Sequence, residues 1–200
     1  MVHPNLTDTK GGTSLSTSAE IHELITYLAS NFPKPISVTQ FIKLSTLHYC
    51  YLYVAQQPDT ELKELLQQAM TSGGISNLDH LTRLMFVAPK SDAKQSSRTI
   101  FRGKILVILT PEIHKLFKYT KKNNLKHGVI NSTLEASIAH YCCLYVAKFP
   151  TLKSTQLLQE AMASIRVKDV RQLEYILYIN EQRRKTKILE AIKRKSIFWK

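Results

Sequence analysis

Histidine and cysteine are the residue types in this 200-residue chain that could ligate a metal: His22, His48 and Cys50 in the first half, His114, His140 and Cys142 in the second. The chemistry would be that of zinc or a related ion, held by imidazole nitrogen and thiolate sulfur. The spacing opposes it. His48 and Cys50, like His140 and Cys142, stand two positions apart, and on a helix such positions point roughly 200° away from each other. Helices that bind zinc place their ligands four positions apart, on one face. Core or boundary histidines, and no metal, are therefore expected. Cys50, Cys142 and Cys143 form no CxxC pair and no even disulfide framework, so reduced thiols are expected as well.

Catalytic constellations are missing too. The chain has no Gly-rich phosphate loop, no HExxH, no GxSxG and no acidic pair kept in both halves. Asp79 and His80 could form a dyad, but the residues matching them in the second half are Arg171 and Gln172. Asp79 suits a helix N-terminus, where a carboxylate is favoured by the helix dipole. The expectation is a protein that is not an enzyme and needs no cofactor.

The elements that must position these residues come twice. At an offset of 92, Ser45 to Met70 lies on Ser137 to Met162 with 14 identities in 26 positions and no gap. Upstream, Glu20, Ile21, His22, Leu24 and Tyr27 meet Glu112, Ile113, His114, Leu116 and Tyr119. Downstream, Ile100, Arg102 and Ile105 fall on Ile192, Arg194 and Ile197. The reading is a flexible polar tail over 1–19 and two tandem domains, 20–107 and 112–199, each of 88 residues. A period of that length suits a duplicated globular domain, because solenoid repeats run about 20 to 50 residues.

The fold class expected is mostly α, with about five helices per copy and a short strand at each end. Thr17 with Glu20 resembles a capping box before the apolar face Ile21, Leu24, Ile25, Leu28. Thr110 with Pro111 opens the second copy equivalently. Ser37 with Gln40, and Ser132 with Glu135, give a second capping signal in each copy, from which one long helix, or two broken near Ser45, runs to Ala55 and Ala147 and is ended by Pro58 and Pro150. Its stretch His-Tyr-Cys through Leu-Tyr-Val-Ala is kept on all sides, the pattern of a buried central helix. Segments 60–70 and 152–163 form the next helix. Another carries Leu78, Leu81, Leu84 and Met85, matched by Val170, Leu173, Ile176 and Leu177. The closing helix spans 181–195, with a weaker counterpart near 93–103. Ile105 to Leu109 reads as a strand joining the domains, with Ser196 to Trp199 as its twin.

Charge separates the two copies. The chain carries 28 Lys or Arg against 15 Asp or Glu, a net +13. Residues 20–107 account for +2 of this and residues 112–199 for +10. One cluster is Lys115, Lys118, Lys121, Lys122 and Lys126, the other Arg183, Arg184, Lys185, Lys187, Lys193, Arg194 and Lys195, followed by Lys200. A solvated face ordinarily mixes signs, whereas only Glu181 and Glu190 interrupt the last cluster. Lys and Arg so gathered displace counterions from a phosphate backbone. Phe117, Tyr119, Phe198 and Trp199 lie near enough in sequence to stack on bases, although packing is the more natural fate of Phe117.

Each copy also resembles the SPK domain, a module of nematode nuclear proteins found beside SET, PHD and kinase domains. The matching features are Pro35-Ile36-Ser37-Val38 leading into a helix, Leu78 to Ala88 (LDHLTRLMFVA), and Leu173 to Ile197 in the second copy. The second copy lacks the proline before Ser132, and the first has a degraded closing helix, SSRTIFRGKI. The resemblance implies a chromatin-associated or nucleic-acid-related module and transfers no catalytic residues.

Two functions follow as expectations. The first is a nucleic-acid or chromatin-associated binding protein whose second copy contacts DNA or RNA through its lysines and arginines. The alternative is a protein-interaction adapter whose basic face meets an acidic protein partner. No apolar run reaches the roughly 18 residues that span a bilayer, and the basic stretches lack a broad apolar face, so no membrane partner is expected. The N-terminus lacks the pattern of a secretory signal or transit peptide, which with the RRKTK and KRK runs points to a nuclear protein, the cytoplasm being the alternative.

Overall fold

Helix starts in this chain are written as short polar side chains that accept a backbone N–H, and the computed structural model uses them in matched pairs. It describes residues 12–56, 59–89, 104–123 and 130–177. Among these, strand β1 (Gly12–Ser16) precedes helices α1 (Ala19–Ser30), α2 (Val38–Val54), α3 (Thr60–Ser72) and α4 (Leu78–Met85). Strand β2 (Lys104–Ile108) then precedes α5 (Pro111–Asn123), α6 (Ile130–Lys148), α7 (Leu152–Ser164) and α8 (Val170–Ile176). The chain is mostly helical in these residues. Three pairs of caps stand 92 positions apart: Ser18 and Thr110, Asp59 and Thr151, Asn77 and Asp169. The residue type changes within each pair but the accepting oxygen stays.

Several expectations need correction. Ser18, not Thr17, caps α1, accepting from the Ile21 N–H. Tertiary contacts select it, because its own N–H donates to Glu135 Oε1 on α6 and its hydroxyl meets Ser164 Oγ at 2.7 Å. Ser37 caps α2 as expected, whereas α6 begins at Ile130 and takes Ser132 inside the helix. Leu84 is turned outward while Leu81 and Met85 are buried. Residues 12–16, read as flexible tail, form β1, because GTSLS gains backbone partners in β2. The strand expected at 105–109 is present as β2, which stands to α5 as β1 stands to α1. The expected fifth helices near 93–103 and 181–195, and the strand at 196–199, lie outside the described residues.

α2 and α6 are the central helices and pack on each other. Phe41, Ile42, Tyr49 and Cys50 of α2, and Leu134, Ile138, Tyr141 and Cys142 of α6, are buried. The outer helices cross between the halves: α1 packs on α7, and α5 packs on α3. Buried side chains of both halves form one continuous core. The strands pair antiparallel, Gly12 opposite Ile108 and Ser16 opposite Lys104, with Ser14 opposite Leu106 at the centre.

After α3 and α7 the chain turns in the same way. Gly74 takes φ +74° and Arg166 takes φ +58°. The next residues, Ile75 and Val167, donate back to the carbonyls of Met70 and Met162 and are buried. This is the left-handed helix end that favours glycine.

Candidate nucleic-acid interface

The amphipathic pattern of α5 decides where its lysines go. Ile113, Leu116, Phe117 and Thr120 are buried against the core, so the positions between them look outward. Lys115 and Lys118 are exposed there. Lys121 and Lys122 belong to the last turn of the same helix, where only the backbone is described. Lys126, Arg183, Arg184, Lys185, Lys187, Lys193, Arg194 and Lys195 lie outside the described residues. Of the expected interface, then, Lys115 and Lys118 are seen together, one turn apart.

The matching positions on α1 are Glu23 and Thr26, both half-buried. Lys153 of α7 approaches Glu23 Oε1 to 3.9 Å. Lys118 also acts locally, since its charge adds to burial in pushing the His114 imidazole below its ordinary range. The aromatics of α5 are occupied: Phe117 sits in the core with its ring 6.1 Å from that of Tyr49. Tyr119 donates its hydroxyl to Asp59 Oδ2 at 3.4 Å. Phe117 is thus buried, and Tyr119 is half-buried with its hydroxyl engaged. Phe198 and Trp199 lie outside the described residues.

Further exposed cations of the second half are Arg166 in the turn after α7, Lys168, and Arg171 on α8. Sequence reading by runs of charge passed them over. A signal was present, because the matching first-half residues are Gly74, Ser76 and Asp79. Arg166 and Lys168 stand in the turn between α7 and α8 and Arg171 on α8, whereas α5 packs on α3, so the exposed cations of the second half are spread over more than one element. Lys148 is also exposed, but its ammonium lies 5.2 Å from the centre of the Phe86 ring and 5.5 Å from that of Phe149.

The histidines considered as ligands have different surroundings. His48 and His140 meet between the halves, their rings stacked with centroids 6.5 Å apart and planes at 22°. His48 Nδ1 and both ring nitrogens of His140 are buried without a hydrogen-bond partner among the described residues. Burial pushes both imidazoles down to about 4, the neighbouring His140 adding to the shift of His48. Both rings are therefore neutral at pH 7. Burial raises the Cys50 and Cys142 thiols well above their usual range and Cys143 to about 11, so thiolate chemistry is suppressed at all three. Among the described residues no three His, Cys, Asp or Glu side chains gather as a metal site. His80 turns away from any dyad with Asp79, its Nδ1 accepting from the Ser76 N–H at 3.2 Å.

Among the described residues no helix is long and apolar enough to cross a membrane. Compared with known proteins, the chain matches no family model, no curated protein and no solved structure.

Proposed function

We propose that the protein is a non-enzymatic, nuclear, nucleic-acid-binding protein, built by tandem duplication of an SPK-like helical unit, whose second copy contacts the phosphate backbone. The observation that carries this reading is the divergence of one surface. α5 offers Lys115 and Lys118 to solvent where α1 has Glu23 and Thr26. Arg166, Lys168 and Arg171 likewise replace Gly74, Ser76 and Asp79. A fold that keeps its caps and core in both halves but turns one exterior basic has the form expected of one-sided recognition of a polyanion. The aromatics of α5 are held by protein partners, so contact through charge to phosphate, without base stacking at this helix, is the mode that fits.

The test is a titration of the full chain with duplex and single-stranded DNA and RNA at several salt concentrations. Binding should weaken steeply with salt, and Lys115→Glu with Lys118→Glu should reduce affinity at least tenfold and flatten the salt slope by roughly one unit per lost phosphate contact. Reversal at Lys121, Lys122, Arg183 and Arg184 should abolish binding. Salt-independent binding, or none, rejects this reading. Capture of an acidic peptide with no nucleic-acid binding would favour the adapter.

A further inference from the structure

We infer that the two halves form an intramolecular dimer: each is completed by the other through a face that a single unit would use to recruit a second copy, and unlike halves are selected by charge. The basis is reciprocity. An isologous interface joins one surface to itself, so residue i meets j wherever j meets i. Here the exchange is of each residue with the one 92 positions on.

Tyr27 on α1 places its hydroxyl 3.5 Å from Thr151 Oγ1, the cap of α7, and Tyr119 on α5 donates to Asp59, the cap of α3, at 3.4 Å. Ser18, the cap of α1, meets Ser164 at 2.7 Å, and Thr110 meets Ser72 at 2.9 Å. In both pairs of contacts the partners are each other's equivalents. The strand register obeys the same exchange: Gly12 opposite Ile108 becomes Lys104 opposite Ser16, and Ser14 opposite Leu106 maps onto itself. His48 and His140 are also equivalents and meet each other. Side-chain contacts, strand register and helix order thus describe one pseudo-twofold relation.

The relation is broken where it would decide partner choice. Glu23 on α1 meets Lys153 on α7. At the equivalent places stand Lys115 on α5 and Glu61 on α3. First-with-second pairing therefore sets unlike charges at both places, and at the first of them the ion pair Glu23–Lys153 is formed. Two first halves would bring Glu23 toward Glu61, and two second halves Lys115 toward Lys153. Such repulsion against the wrong pairing is how related interfaces keep their partners apart.

The test uses the full chain with a specific protease site substituted into residues 92–98. After native cleavage the two fragments should co-elute in a one-to-one ratio at the size of the uncut protein, with helicity retained, and part only in denaturant. Elution as separate helical fragments overturns the inference. When the cut protein is unfolded and refolded, only the first-with-second pair should return. Glu23→Lys with Glu61→Lys should lower the yield of that pair about tenfold in dilute refolding, and adding Lys115→Glu with Lys153→Glu should restore it to within about twofold. Equal yields of like and unlike pairs, or no restoration, would reject selection by charge. These outcomes are independent of whether the protein binds nucleic acid.

Discussion

His48 and His140 stack against each other between the two halves, with three of their four ring nitrogens buried and unpartnered among the described residues. Aromatic rings flank His48: those of Phe86 and Tyr141 lie 5.8 and 6.0 Å away, and the Lys148 ammonium lies over Phe86. A proton on either imidazole would be a charge without an acceptor, placed where the central helices meet.

Stability should therefore fall on acidification. Both folded-state values are depressed to about 4 from an ordinary 6.5, so the unfolded chain binds more protons between those limits. The contribution is fully present above pH 6.5 and is lost as pH drops toward 4, on the order of 3 kcal/mol for each ring. Urea unfolding at pH 7.5, 6 and 5 measures it. In the double variant His48→Gln, His140→Gln the profile should be flatter than in the wild type; an unchanged profile would mean that the pair does not set the dependence.

Two tyrosines on α6 tie the halves from the inside. The Tyr141 hydroxyl donates to the Met85 carbonyl, buried at the end of α4, and Tyr145 donates to the Val87 carbonyl at 3.0 Å. Tyr141→Phe should cost about 1–3 kcal/mol, because it leaves a buried carbonyl without its donor, and Tyr145→Phe about 0.5–1.5 kcal/mol at a partly buried site. Denaturant midpoints of the two variants should fall in that order.

Arg166 stands at φ +58° where the first half has Gly74 at +74°. A Cβ in the left-handed region costs about 1–2 kcal/mol, so Arg166→Gly should raise stability by about 1 kcal/mol. Gly74→Ala should lower it by a similar amount, since space does not limit the site: a Cβ there meets nothing within 4 Å. Thermal midpoints shifting in opposite directions are the expected result.

Leu24 and Leu116 are equivalents, each buried in the shared core. Truncation to alanine at either should cost about 2–5 kcal/mol. Because the core is continuous, each variant should lower one common unfolding transition, seen alike by far-UV circular dichroism and by calorimetry. A variant that melts one half early while the other keeps its midpoint would show two independent cores.

Much of the local structure was legible along the chain. Ser37, Thr110 with Pro111, and Pro58 and Pro150 after the central helices mark boundaries through short-range chemistry, and the all-round match of His-Tyr-Cys and Leu-Tyr-Val-Ala between the halves marked α2 and α6 as central. Thr17 and Ser18 are adjacent and both able to cap, and only the contacts of Ser18 with Glu135 and Ser164 distinguish them. The candidate interface was half legible. Runs of lysine on α5 showed themselves, but Arg166, Lys168 and Arg171 form no run and emerge only when each is set against its first-half equivalent.

Among the described residues the sequence by itself determined which segments are helical and where most of them start, and along the chain that charge is concentrated in one half, because capping, periodicity and composition act within a few residues of chain. Tertiary structure alone decided what each half packs against. The spacing of His48 and Cys50 excludes a shared ion on one helix, yet says nothing of His140, which is 92 residues away and stacked on His48. GTSLS has no strand signal of its own and becomes β1 only through β2. The two halves repeat the same apolar positions, so packing within a half and packing between halves look alike in sequence. The choice fell to the geometry that brings α1 onto α7 and α5 onto α3 and buries both central helices at once.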